Sequence, residues 1–244
     1  MLIICTVSVL LGISCSGGNI DELAQRCSAF MATNDLSLRG IEVPVQAVHY
    51  DSDTDQGIDG FVLGGGPDSV ILSNQVDTDL CSWLPTARRF AEEDRRVLIY
   101  DYAGRTPPSK DIEAAANELA GMGVDRVVLV GSSMGALASL AAASSIERPV
   151  VSGVASLSAV SSYSGIDAWR AAEKVRTPLL VLTARDDLSA AEVAPERAKA
   201  SPSKDERVVV LEGSEHGIDL LEGKNGPRAR SLLKGFIDRN LPQN

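Results

Sequence analysis

A serine between two glycines has the spacing that nucleophilic catalysis requires. Gly131-Ser132-Ser133-Met134-Gly135 lies between a run of Val and Leu and a stretch rich in Ala, which predicts a strand, a sharp turn and a helix. In that setting a Gly-x-Ser-x-Gly sequence is typical of a strained turn that presents its central serine. We expect Ser133 to be the nucleophile and the Met134 N–H, at the start of the helix, to donate to an oxyanion.

Other interpretations of this turn remain possible. A glycine-rich turn between a strand and a helix can be purely structural, or it can bind phosphate. Phosphate loops need a Lys at a different spacing and dinucleotide-binding turns need Gly-x-Gly-x-x-Gly, and the turn has neither. Ser132 lies one residue before the apex, so we expect Ser133 rather than Ser132 to react.

A serine hydroxyl needs a base, and the chain has 2 histidines. His216 lies in a loop with Gly213 and Gly217, directly after the last predicted strand. Sites in open α/β sheets assemble at such carboxyl ends. His49 lies within an early predicted strand. We therefore expect His216 to be the base.

An imidazole base needs a carboxylate that fixes its tautomer. The predicted strand Leu-Leu-Val-Leu-Thr-Ala-Arg is followed by Asp186 and Asp187, again at a carboxyl end. Adjacent residues of an extended chain point in opposite directions, so position alone leaves both as candidates. Either choice gives the chain order serine, aspartate, histidine.

Length and composition restrict the class of protein. The chain has 244 residues, which suits one main domain, and 44% of them are hydrophobic, which excludes a disordered chain. The formal net charge is −10, with 23 Lys and Arg against 33 Asp and Glu, and 4% of residues are aromatic. Nucleic-acid binding needs a basic face and stacking aromatic residues, so we expect no nucleic-acid partner.

Short β-rich runs alternate with helical ones along the chain. Continuous Val, Leu and Ile runs after residue 95 are what strands buried on both faces require, and their alternation with helices predicts an α/β fold with a mostly parallel, doubly wound sheet. The first two runs, 43–50 and 57–65, indicate a hairpin. Residues 158–176 are enough for a minimal cap only, in which Tyr163 and Trp169 are candidates for lining an acyl pocket.

The N-terminus resembles an export signal. Residues 2–13 are apolar or small and carry no charge, and Cys15 is followed by Ser-Gly-Gly, similar to the cleavage region of bacterial lipoproteins, whose Cys bears a lipid. We expect residues 1–15 to be a signal peptide, 16–40 an N-terminal arm and 41–244 the catalytic domain. The protein would be exported, and either lipid-anchored to the cell envelope or secreted. The alternative is a cytoplasmic protein with a buried N-terminal segment.

Two further cysteines are compatible with export. Cys27 and Cys81 would remain after processing, and in an oxidising compartment they can form one disulfide. Two ordinary buried thiols are the alternative.

These motifs together resemble the α/β-hydrolase family of serine hydrolases, from about residue 41 to 241. Members often carry Gly-x-x-Asp after the penultimate strand. Ala184-Arg185-Asp186-Asp187 matches that spacing, and the resemblance therefore favours Asp187. Gly213, His216 and Gly217 match the Gly-x-x-His-Gly element. Asp101-Tyr102-Ala103-Gly104 resembles the Asp-x-x-Gly of a structural loop.

The sequence differs from the family pattern in the oxyanion loop. Members usually have His-Gly-x after the third strand, whereas this chain has Ser73-Asn74-Gln75-Val76. Aligning Asn74-Gln75 with His-Gly makes Val76 the expected backbone donor and Gln75 the next choice, with the Gln75 side-chain amide as another possible donor.

The family implies acyl transfer to water, and no cofactor is implied. No metal is expected, because the cysteine spacings fit no zinc pattern. The resulting hypothesis is a serine hydrolase acting on a small-molecule ester or related acyl bond through an acyl-enzyme. Peptidase or acyltransferase activity on the same three residues, or a non-catalytic binding protein with this fold, are the alternatives. The only membrane contact expected is a lipid anchor at Cys15, and the sequence does not set the oligomeric state.

Overall fold

The computed structural model describes residues 17–34, 36, 43–52, 57–104, 107–191 and 194–242. The expected signal peptide and Cys15 lie outside these ranges. Within them, no helix is both long enough and apolar enough to cross a bilayer.

Ten strands and eight α-helices are present in the described residues. The strands are β1 (Val45–Asp51), β2 (Gly57–Leu63), β3 (Asp68–Ser73), β4 (Arg96–Tyr100), β5 (Arg126–Ser132), β6 (Val150–Leu157), β7 (Ser162–Tyr163), β8 (Ile166–Asp167), β9 (Leu179–Ala184) and β10 (Glu206–Leu211). The helices are α1 (Gly17–Arg26), α2 (Ser28–Thr33), α3 (Leu84–Glu92), α4 (Pro108–Gly121), α5 (Met134–Ala142), α6 (Ala168–Ala172), α7 (Ala194–Ala200) and α8 (Gly226–Asn240). Short 3₁₀ helices cover Leu80–Trp83 and Gly217–Leu221.

Eight strands form one sheet in the order β1-β2-β4-β3-β5-β6-β9-β10. From β4 to β10 every neighbouring pair is parallel, whereas β2 runs antiparallel to both β1 and β4. The expected hairpin of the first two strands is therefore confirmed. The mostly parallel sheet is confirmed by these pairings. In addition, β5 and β9 are buried along nearly their whole length, as their apolar runs predict.

Two hydrophobic cores cover the two faces of the sheet. One packs α1, α3 and α8 against it and contains Trp83, Phe90 and Phe236. The other contains Ile112, Leu140 and Ala198, and covers the opposite face with α4 to α7. This arrangement leaves the carboxyl ends of the parallel strands free for loops, and it confirms the doubly wound architecture.

Some boundaries differ from those that the sequence predicts. The sequence of residues 81–94 predicts one helix, with Pro85 in its first turn. The structure has a 3₁₀ turn followed by α3, and Pro85 does lie in the first turn of α3, where a missing N–H is tolerated. Residues 20–31 indicate a short helix or an ordered arm, and the structure has two helices that are separated at Cys27. Residues 189–201 indicate a helix broken by Pro195, whereas α7 begins at Ala194 and includes Pro195.

The N-terminal arm is joined to the domain covalently. Cys27, between α1 and α2, forms a disulfide with Cys81, in the 3₁₀ turn after β3. Arg26 pairs with Asp101 at the end of β4. Of the two alternatives left open by the sequence, the structure has the disulfide.

The cap is small, as expected. Residues 158–176 form the two-stranded hairpin of β7 and β8, followed by the short helix α6. Asp167 caps α6 by accepting from the N–H of Arg170 at 2.9 Å.

Candidate active site

Ser133 lies at a strained turn between β5 and α5. Its φ is +51° and its ψ is −112°, a conformation that a residue with a side chain rarely adopts. The Ser133 N–H donates to the carbonyl of Leu157 at 2.8 Å, which ties the turn to the end of β6. The hydroxyl does not cap α5, and it is directed instead to His216.

The glycines on either side of this turn are required by space. A Cβ at Gly131 would lie 2.2 Å from the carbonyl oxygen of Gly135. A Cβ at Gly135 would lie 2.4 Å from the carbonyl oxygen of Ser73, at the end of β3. Moving backbone atoms away from such contacts would cost a large amount of free energy, so the turn forms only with glycine at both positions.

His216 contacts both of the other expected residues. Its Nε2 lies 2.8 Å from the Oγ of Ser133, and its Nδ1 lies 2.8 Å from the Oδ2 of Asp187. The first contact joins residues 83 positions apart in the chain. The imidazole is held between a hydroxyl and a carboxylate at the carboxyl edge of the sheet.

The two adjacent aspartates have different environments. Asp187 is 7% exposed, and its second oxygen, Oδ1, accepts from the hydroxyl of Ser189 at 2.7 Å. Asp186 is exposed, and its N–H donates to the carbonyl of Gly213 at 2.9 Å. The structure thus brings Asp187, and not Asp186, to the imidazole.

His49 lies at the other end of the sheet order, on β1. Its Nδ1 is 2.7 Å from Oδ1 of Asp59, the residue opposite on β2. This hydrogen bond, and then the charge of Asp59, raise the pKa of His49 above its usual value. This exposed pair lies on the β1–β2 hairpin, in agreement with the expectation that His216, rather than His49, is the base.

The loop after β3 faces the start of α5. Among the described residues, no backbone carbonyl accepts from the N–H of Met134 or of Val76. The side-chain oxygen of Gln75, Oε1, accepts from the N–H of Ile218 at 3.1 Å. The amide of Gln75 is therefore engaged with the loop that carries His216, a contact that sequence reasoning did not anticipate.

A cleft of about 360 Å³ opens beside this loop. Its lining comes from the loop after β3, the end of β4, the start of α5 and the cap hairpin, and includes Val76, Asp77, Asp101, Tyr102, Met134 and Tyr163. Burial raises the pKa of Tyr102 above its usual value, so its hydroxyl stays protonated. Tyr163 lines the cleft as the sequence suggested. Trp169 is not among the lining residues, and its indole N–H donates to Glu173.

Asp101 stabilises the wall of the cleft. Its Oδ1 accepts from the N–H of Leu80 at 2.8 Å, and its Oδ2 pairs with Arg26 of the arm. The side chain of Asn74 donates to the carbonyl of Tyr100 at 2.9 Å. These bonds fit the structural role that the Asp-x-x-Gly resemblance implies for this loop.

Two contacts in the site were not predicted from the sequence. Ser189 binds the far oxygen of Asp187, and a serine two residues after an aspartate is a weak local signal for such a bond. The bond from Gln75 to Ile218 spans 143 positions and has no local signal. In the part of the chain that the structure describes, no three His, Cys, Asp or Glu side chains cluster as metal ligands would.

Comparison with known proteins identifies the fold. No protein-family model matches the chain, and no curated protein sequence matches it. Solved structures do match, among them an esterase of Pyrococcus furiosus, at a TM-score of 0.70 and 15% identity, covering 83% of this chain and 94% of that one. A dienelactone hydrolase of Anabaena variabilis matches at a TM-score of 0.65 and 18% identity, covering 81% of this chain and 98% of that one.

A third structure, a monoacylglycerol lipase of Paleococcus ferrophilus, matches at a TM-score of 0.64 and 14% identity, covering 75% of this chain and 99% of that one. The TM-scores show that these three structures share the fold described above. The chain has the α/β-hydrolase fold.

Proposed function

We propose that this protein is a serine hydrolase that cleaves an ester or related acyl bond through Ser133, His216 and Asp187. The observation that carries the proposal is the continuous pair of contacts from Ser133 Oγ through His216 to Asp187, each 2.8 Å long. A nucleophile, a base and an orienting carboxylate in this order are what activation of a serine hydroxyl requires.

The reaction follows from the proton positions. His216 Nε2 takes the proton of Ser133 as Oγ attacks the substrate carbonyl, and Asp187, bonded to Nδ1, holds the tautomer that leaves Nε2 free to accept. The tetrahedral oxyanion accepts from the N–H groups of Met134 and Val76. His216 then gives its proton to the leaving alcohol as the acyl-enzyme forms. Water, deprotonated by His216, attacks the acyl-enzyme and releases the acid and Ser133.

The cleft beside Met134 is proposed to hold the substrate. It meets the residue that follows Ser133 and the loop that carries Val76, so a group bound there lies next to the reacting carbonyl. Its lining mixes carboxylate, hydroxyl and apolar groups, and its volume of about 360 Å³ suits a small molecule. The solved structures with this fold named above are an esterase, a lipase and a dienelactone hydrolase, which supports an acyl substrate.

Covalent labelling and turnover test the proposal together. A fluorophosphonate should form one adduct at Ser133, found by peptide mass spectrometry, and Ser133→Ala should abolish both labelling and hydrolysis of short esters. Ser139→Ala is the matched control, because Ser139 is a fully buried serine of α5 whose hydroxyl has no hydrogen-bond partner among the described residues. It should label like wild type.

The substrate panel contains esters, thioesters and amides of the same acyl group. Faster turnover of amides than of esters would favour a peptidase, and transfer to an added alcohol in preference to water would favour an acyltransferase. Absence of any adduct at Ser133 would contradict catalysis and leave the binding-protein alternative.

We also propose that the protein is exported and held to the cell envelope by a lipid on Cys15. The disulfide between Cys27 and Cys81 supports an oxidising compartment. Mass spectrometry of the mature N-terminus should find an acylated Cys15, and Cys15→Ala should release the protein from the membrane fraction. An unprocessed, soluble protein in the cytoplasm would contradict this proposal.

A further inference from the structure

Gln75 connects two loops that lie far apart in the sequence. It follows Asn74 in the loop after β3, and its Oε1 accepts from the N–H of Ile218, two residues after His216. Its own backbone carbonyl accepts from the hydroxyl of Thr78 at 3.2 Å, which closes the turn on which it lies. The side chain is therefore fixed at its base and at its tip.

The loop that carries His216 packs directly on this side chain. Gly217 has a φ of +59°, and a Cβ there would lie 2.2 Å from the Oε1 of Gln75 and 3.3 Å from the Cβ of Ser132. The positive φ favours glycine at 217, and a Cβ there would require the tip of the Gln75 side chain to move away. The close approach leaves no room for a water molecule between Gly217 and the Gln75 oxygen.

We propose that Gln75 is a positioning residue, whose side-chain carbonyl holds the His216 loop at a fixed distance from the loop that carries Val76. The inference rests on the proposed function, in which His216 and the Val76 N–H act on the same substrate carbonyl. Small displacements of either group lower the rate of such a reaction. Gln75 stands where the family pattern has glycine, so the contact belongs to this chain and not to the family motif.

Two substitutions at Gln75 distinguish this positioning role from the alternative, in which the Gln75 amide donates to the oxyanion. Gln75→Met keeps the length of the side chain but loses the acceptor, and it should lower kcat about tenfold with KM changed less than about twofold. Gln75→Glu keeps an oxygen that accepts from Ile218, and at its own pH optimum it should restore kcat to within about threefold of wild type.

If the Gln75 amide instead donated to the oxyanion, Gln75→Glu would lose the donor and add a negative charge. It would then be slower than Gln75→Met. Gln75→Glu equal to or slower than Gln75→Met overturns the proposal.

Ser69→Ala is the matched control. Ser69 lies at the other end of β3, is buried, and donates a side-chain hydrogen bond to the carbonyl of Arg96 at 2.9 Å. Its loss should lower the free energy of unfolding and leave kcat unchanged. A kcat that falls as far in Ser69→Ala as in Gln75→Met would show a general effect of stability and overturn the proposal.

Hydrogen exchange at one amide reports on the contact without activity. The Ile218 N–H should exchange faster in Gln75→Met than in wild type, and at the wild-type rate in Gln75→Glu and Ser69→Ala. Unchanged exchange in Gln75→Met overturns the contact itself. If the exchange rates follow this prediction but the protein hydrolyses no substrate, the proposed function is refuted, and the positioning role with it.

Discussion

At the scale of single residues, hydrogen-bond partners and burial distinguish side chains of the same type. Both histidines contact an aspartate, but only His216 also contacts a serine hydroxyl. Asp186 and Asp187 are neighbours, and only Asp187 is buried against the imidazole. The roles proposed for these side chains therefore follow from their contacts and not from their residue types.

Replacing Asp187 tests the acid. Asp187→Asn should lower kcat by about four orders of magnitude, because an amide stabilises the wrong tautomer of the imidazole. Asp186→Asn is the control, and its kcat should change less than about threefold, since Asp186 is exposed and offers only its N–H to Gly213. Ester hydrolysis under saturating substrate gives both values. Equal, small losses would contradict the assignment of Asp187.

The pair of His49 and Asp59 makes a prediction about pH. The hydrogen bond to Asp59 raises the pKa of His49 in the folded protein, so the pair stabilises the fold below pH 6.5, and this contribution is lost as pH rises through the raised pKa. An NMR titration should place the midpoint of His49 above 6.5, and Asp59→Asn should lower it.

Asp51→Asn is the control for that titration. Asp51 acts on His49 only through its charge, and it is the weakest of the causes of the raised pKa. Its replacement should move the midpoint of His49 less than Asp59→Asn does. The reverse order would refute the hydrogen bond as the main cause.

At the scale of elements, the turn between β5 and α5 depends on close backbone packing. Gly135→Ala should cost several kcal/mol of unfolding free energy, or displace the turn and abolish activity, because its Cβ would lie 2.4 Å from the carbonyl oxygen of Ser73. Gly121→Ala, at the end of α4, is the control. Its Cβ meets nothing within 4 Å, and alanine should stabilise the helix by up to about 1 kcal/mol.

Urea unfolding and ester hydrolysis measured on both variants test this prediction. A Gly135→Ala protein with the stability and kcat of wild type would mean that β3 and α5 are not packed as closely as described.

The elements themselves were largely predictable from the sequence. Buried parallel strands such as β5 and β9 are continuous apolar runs, and the glycines of the turn at Ser133 are a local signal. The break at Cys27 and the 3₁₀ turn after His216 were not predictable, because tertiary contacts rather than local propensity determine them.

Contacts between distant segments were the least predictable part of the candidate site. The bond from Gln75 to Ile218 depends on how two loops meet after folding, and nothing near either residue encodes it. For Asp187, position alone left two candidates, and the family spacing favoured the residue that the structure places against His216.

At the scale of the whole molecule, charge should select among substrates. The net charge is −10, and the described lining of the cleft includes Asp77 and Asp79 but no Lys or Arg, while the charge of a third lining aspartate, Asp101, is paired with Arg26. Such a field favours cations and disfavours anions. Among thioesters of the same shape, one with an ammonium group should have a higher kcat/KM than one with a sulfonate, and the difference should shrink as salt is added.

Two aspartates with a positive φ test this selection. Asp77 lines the cleft with a φ of +67°, and Asp77→Asn should reduce the charge preference about two- to threefold, because asparagine tolerates this conformation equally well. Asp94, with a φ of +59°, is exposed just before β4, at the opposite edge of the sheet, and Asp94→Asn should leave the preference unchanged. Equal effects would indicate that only net charge matters.

The proposed nucleophile follows a central strand of the sheet, whereas its base follows an edge strand, and edge strands are less stable. Ser133 follows β5, which has a neighbour on each side, whereas His216 follows β10, the last strand of the sheet, where several side chains are partly open to solvent. Border strands of this kind detach at lower free energy than central ones. As urea is raised, turnover should therefore vanish while most of the circular dichroism persists, so that lost catalysis would be the first sign of damage to this fold.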